Sequence, residues 1–124
     1  MEEYEQYLKY SGTTTFSSMS KADLTNLIER GESSFLEFKQ KVTSPEKLAR
    51  EIAAFANTEG GIILVGVGDK GELIGLETYL EEEFWLKQAA EQECVPPVSI
   101  TFELFQIGQR DILIAVSYTH LRAH

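Results

Sequence analysis

The chain has 124 residues, 43% of them hydrophobic and 25% charged, with one cysteine and a formal net charge of −9. That length suits one domain with a core of its own and leaves little room for two, and the composition excludes disorder as a description of the whole chain. A single cysteine, Cys94, excludes an intramolecular disulfide and a cysteine-built zinc site. The longest apolar run, residues 62–65, is far too short to span a bilayer, and the acidic start Met1-Glu2-Glu3-Tyr4-Glu5 is unlike a secretory signal. The expectation is a cytoplasmic protein without membrane contact.

Residues 1–18 are polar, rich in Ser, Thr and Tyr and without periodicity, and read as an extension ahead of a domain spanning 19–118. Ser20 stands where an N-cap belongs, Asp23 completes a capping box, and Leu24, Leu27 and Ile28 form one apolar stripe. A short helix ending at Gly31 is therefore predicted. Residues 34–39 alternate as a strand around Glu37. Ser44-Pro45 is a helix start, and Leu48, Ile52, Phe55 and Ala56 recur on one core face that leaves out Lys47 and Arg50. Residues 62–67, rich in β-branched side chains, predict a central strand buried on both faces. Asp69-Lys70-Gly71 is turn chemistry, with a second, shorter strand expected over 73–76.

Residues 78–93 read as helical by composition, although their apolar residues share no clean face. After Pro96-Pro97, two alternating runs, 98–107 and 111–118, flank Gly108-Gln109-Arg110 as an antiparallel hairpin. The fold class is α/β (α+β), a mixed sheet of about five strands covered by two to three helices. Residues 119–124 read as a truncated or non-native tail.

A net charge of −9 disfavours a phosphate-binding partner, since Lys and Arg supply that attraction. The charge is segregated, however. Residues 78–93 carry −4 and residues 59–77 carry −3, whereas 38–50 carry +3 through Lys39, Lys41, Lys47 and Arg50 against Glu46. That basic stretch is either a phosphate-binding face or a solvated helix surface.

Gly66-Val67-Gly68-Asp69-Lys70-Gly71 spells G-x-G-x-x-G. A dinucleotide site needs a helix after the glycines to hold the pyrophosphate, and a strand is expected there instead. The segment also approaches a P-loop, but Glu72-Leu73 stands where Lys and Ser or Thr would meet phosphate and magnesium, so a P-loop ATPase is unsupported. Glu32, Glu37 and Asp69 make a better constellation. If their strands are adjacent, three carboxylates converge with Lys39 close by, a set suited to Mg²⁺ or Mn²⁺. The competing reading is that Glu32 and Asp69 are turn residues and that Glu37 pairs with Lys39 or Arg50. His120 and His124 stand at i, i+4 in the tail, where fraying is the simpler expectation.

The blocks Glu32-Ser33-Ser34-Phe35-Leu36-Glu37-Phe38-Lys39, Ile52-Ala53-Ala54-Phe55-Ala56-Asn57-Thr58-Glu59-Gly60-Gly61 and Leu64-Val65-Gly66-Val67-Gly68-Asp69, with Gly71-Glu72-Leu73-Ile74-Gly75-Leu76, resemble the Schlafen AlbA-like domain family, also labelled divergent AAA-type ATP-binding. The resemblance spans roughly residues 20–116. It implies a nucleic-acid-binding α/β domain, commonly the N-terminal module of bacterial transcriptional regulators. In eukaryotic Schlafen members it implies a metal-dependent RNA-cleaving site of three acidic residues, which by motif position fall on Glu32, Glu37 and Asp69. Family members usually continue past the last strand, and here the tail differs from that continuation.

Three functions follow. The first is a DNA- or RNA-binding module using Lys39, Lys41, Lys47 and Arg50. The second is a metal-dependent nuclease using Glu32, Glu37, Asp69 and Lys39. The third is a non-enzymatic interaction domain, with a homo-oligomer among its forms, that presents Phe84 and Trp85 from the acidic segment 78–93.

Overall fold

A computed structural model describes residues 14–42 and 44–118. In chain order the elements are β1 (Thr15–Phe16), α1 (Lys21–Arg30), β2 (Leu36–Lys39), α2 (Pro45–Ala56), β3 (Gly61–Val65), α3 (Leu80–Gln88) with a π-helical turn (Ala89–Glu93), β4 (Ile100–Ile107) and β5 (Arg110–Ser117). The five strands form one mixed sheet in the order β1-β4-β5-β3-β2. The β2–β3 and β1–β4 pairs are parallel, and the β3–β5 and β4–β5 pairs are antiparallel. Thr15 and Phe16, within the segment read as an extension, supply the short edge strand β1.

Local chemistry starts the helices where the residues indicate. Ser20 Oγ accepts from the Asp23 N–H at 3.0 Å and Asp23 Oδ2 accepts from the Ser20 N–H at 3.3 Å, a complete capping box. Ser44 caps α2, with Pro45 in its first turn. The hairpin turns at Gly108, whose φ of +61° fits the first central position of a two-residue loop.

The sheet alternates its side chains between two cores. Ile63, Val65, Leu113 and Ala115 meet α2 and α3, while Leu64, Ile112 and Ile114 meet Leu24 and Ile28 of α1. β3 lies inside the sheet, and Ile63, Leu64 and Val65 are each 0% exposed.

Two expectations change. Residues 73–76 form no strand and contribute only isolated bridges, Val67 to Leu73 and Leu76 to Asp111. Arg110 explains this: its guanidinium donates to Ile74 O at 2.9 Å and Gly75 O at 3.0 Å, taking carbonyls that a ladder would use. The acidic segment is helical, with Glu81, Glu91 and Glu93 exposed but two of its glutamates turned inward. Glu82 and Glu83 are buried beside Leu86, Ala89 and Ala90, and two glutamates on the inward side explain the missing apolar stripe. No helix among the described residues is long and apolar enough to cross a membrane.

Candidate functional site

Because β2 and β3 run parallel, with Lys39 beside Val65, the chain leaving β2 and the chain leaving β3 emerge at one end of the sheet. In open α/β sheets the carboxyl ends of the strands are where ligands settle. The chain leaving β2 continues into α2, so the N-terminus of α2 stands at this end too. The result is an open cleft of about 640 Å³ lined by Glu32, Glu37, Phe38, Lys39, Gln40, Lys41, Ser44, Lys47, Leu48 and Asp69. Of the candidate carboxylate ligands and basic contacts read from the sequence, Glu32, Glu37, Asp69, Lys39, Lys41 and Lys47 line it, while Arg50 is exposed on α2 outside it.

Glu32 reaches this end by folding back along β2. Its Oε2 accepts the Phe38 N–H at 2.9 Å and so satisfies a backbone donor on the edge strand. Glu37 and Lys39 alternate with the buried Leu36 and Phe38 and project from the opposite face of β2. Lys39 Nζ lies 3.7 Å from Glu37 Oε2, but 3.0 Å and 3.1 Å from the two carboxylate oxygens of Glu51 on α2. The hydrogen bond runs to Glu51 Oε2; Oε1 is part of the ion pair without accepting one. Burial, then the charge of Glu51, pushes the Glu37 carboxyl above its ordinary range, with Glu32 adding to the rise and Lys39 opposing it.

Glu51 is the participant that the sequence did not announce. It precedes Ile52 on the flank of the core stripe, and only the packing of α2 beside β2 brings its carboxylate to Lys39.

The remaining cations behave differently. The ion pairs among the described residues are those of Lys39, which leaves Lys41 and Lys47 exposed on the cleft with none. Beneath them, the buried Glu82 carboxyl is raised by desolvation, while the Val42 N–H and the nearby Lys41 oppose that shift. Phe84 is buried and edges against Trp85 at 4.9 Å, and Trp85 packs on the core, so neither is spread out as a partner surface.

Glu32, Glu37 and Asp69 share the cleft, but no group of three or more His, Cys, Asp and Glu among the described residues has metal-holding geometry. His120 and His124 lie outside the described residues. The glycine-rich segment ends in a turn, and the next helix begins only at Leu80, so no helix N-terminus follows the glycines. Cys94 is buried, with its thiol raised chiefly by desolvation, and it donates to Ala49 O at 3.4 Å. Across the chain, the family model described as Schlafen, AlbA_2 matches residues 32–123.

Proposed function

Since the chain belongs to the Schlafen AlbA_2 family, which suggests a nucleic-acid-binding domain, we propose that the cleft at the ends of β2 and β3 receives the phosphates of DNA or RNA. Within that reading the protein is the nucleic-acid-binding module of a bacterial transcriptional regulator, acting in the cytoplasm. The observation that carries the proposal is Lys41 and Lys47, exposed and without an ion pair to any described residue, beside the N-terminus of α2 in a molecule of net charge −9. Unpaired ammonium groups and helix N–H groups attract phosphate together. Lys39 contributes less, because Glu37 and Glu51 already hold its charge.

The test is retention of labelled duplex DNA and hairpin RNA over a range of salt. Lys41→Gln and Lys47→Gln should each lower the salt slope by about 0.9 for duplex DNA, the share of one phosphate contact. Lys39→Gln should leave the slope almost unchanged. A double Lys41/Lys47 variant that binds with the wild-type slope would refute the assignment.

A second reading, metal-dependent RNA cleavage, draws on the three carboxylates that share the cleft and on the raised Glu37. Glu32 is engaged with the Phe38 N–H, Glu37 is paired with Lys39, and the carboxylates form no ligand group, so no catalytic step is derived through a metal. Cleavage of hairpin RNA in Mn²⁺, abolished by EDTA and by Glu37→Gln, would establish this reading. Cleavage that persists in EDTA would remove it.

A further inference from the structure

The turn formed by the glycine-rich segment serves neither nucleotide reading, yet it is firmly built. The Gly71 N–H donates to Gly68 O at 2.9 Å, the Gly68 N–H to Glu72 O at 2.9 Å, and the Lys70 N–H to Glu72 Oε1 at 3.0 Å. Gly71 takes φ of +86°, and a Cβ there would stand 2.9 Å from Ile28 Cγ2, so the turn is seated closely against α1. Its tip is Asp69-Lys70, and both residues are exposed.

A second cavity of about 420 Å³ adjoins the cleft. The two share Glu32, Phe38 and Asp69, and the second extends to Lys70. Together they make one trough with an acidic midline at Glu32 and Asp69, which line both cavities, and with further carboxylates at Glu37 in the first and Glu29 in the second. Lys41 and Lys47 stand on one bank and Lys70 on the other. Lys70, like Lys41 and Lys47, makes no ion pair with a described residue.

We propose that Lys70 is a second phosphate contact, and that a nucleic-acid strand crosses the trough with phosphates on both banks. Like charges repel a phosphate from the midline, so a backbone entering the trough gains only where cations flank the carboxylates. A lysine on a hydrogen-bonded turn also needs little backbone ordering on binding. The inference rests on the nucleic-acid reading above and adds to it the course of the strand.

The experiment measures the dissociation constant of the full chain for duplex DNA, hairpin RNA and an unpaired oligonucleotide between about 50 and 200 mM salt. Lys70→Gln should reduce the salt slope by about 0.9 for duplex and about 0.7 for the unpaired strand, with affinity lower by about five- to tenfold near 0.1 M salt. The loss should add to that of Lys47→Gln, because the two lysines serve separate contacts. Far-UV circular dichroism and Tm should not move, since the side chain is exposed. Lys21→Gln, an exposed cation on α1 outside both cavities, should leave the slope alone.

A normal slope in Lys70→Gln beside a reduced slope in Lys47→Gln overturns the second bank and leaves the nucleic-acid reading standing. An equal loss in Lys21→Gln also overturns it, by reducing the effect to overall charge. If the wild type binds none of the three nucleic acids, the reading fails and this inference falls with it.

Discussion

At Gly61 one absent methyl group decides how closely α2 and β3 approach. A Cβ there would stand 2.4 Å from Cγ of Phe55, a ring buried in the core. Gly61→Ala should therefore cost about 1–3 kcal/mol by overpacking and lower Tm by several degrees. An unchanged Tm would mean that the Phe55 ring yields without strain. Residue-scale geometry also separates cations that the sequence presents as equals. Lys39, Lys41, Lys47 and Arg50 stand within one basic stretch, but Lys39 is committed to Glu51 and Arg50 is not among the residues that line the cleft. Of these four, Lys41 and Lys47 are the ones on the cleft without an ion pair to a described residue, and no local pattern distinguishes them.

Among the elements, α3 departs furthest from what its composition implies. Glu83 is 1% exposed; its Oε1 accepts from Thr14 Oγ1, and its Oε2 has no partner among the described residues. Burial pushes its carboxyl up to about 7, against the opposing charge of Lys87. The sign of the pH dependence follows. Below about pH 4.5 the carboxyl is protonated in folded and unfolded chains alike, and its burial adds no ionisation cost. Between about 4.5 and 7 the unfolded chain loses the proton first, so stability falls as pH rises; above about 7 the cost is complete, on the order of 3 kcal/mol. Glu83→Gln keeps an acceptor for Thr14 and removes the titration. It should raise Tm at pH 8 and converge on the wild type by pH 4. A difference independent of pH would show that the side chain acts through packing alone.

At the scale of the molecule, one sheet joins two cores, one on each of its faces. Residues that alternate along β3 and β5 serve the α2–α3 face and the α1 face in turn, so neither core can melt while the sheet survives intact. Trp85 fluorescence, which reports the α2–α3 layer, and far-UV circular dichroism should give coincident transitions in denaturant. An earlier Trp85 transition would show that this layer opens alone. The same arrangement bears on how an acidic chain could carry the phosphate-binding cleft proposed above. Part of the charge of residues 78–93 is withdrawn from the surface: Glu82, near Lys41, and Glu83 are both buried, and burial raises both carboxyls.

The sequence by itself determined what short-range chemistry decides. Ser20 with Asp23 and Ser44 with Pro45 set the helix starts, Gly108 set the hairpin, the apolar run of β3 set its burial on both faces, and the alternation of β4 set which of its side chains go inward. It also determined that Glu32, Glu37 and Asp69 belong together once two strands are parallel neighbours, since their spacing then brings them to one end of the sheet. The tertiary structure alone decided the rest. Arg110 is 35 residues beyond Gly75, and its hold on the Ile74 and Gly75 carbonyls cancels a strand that local propensity favours. Glu51 lies 12 residues from Lys39, and Thr14 lies 69 from Glu83. Propensity and spacing act over a few residues, whereas the partner of a charge is chosen by which surfaces the fold presses together.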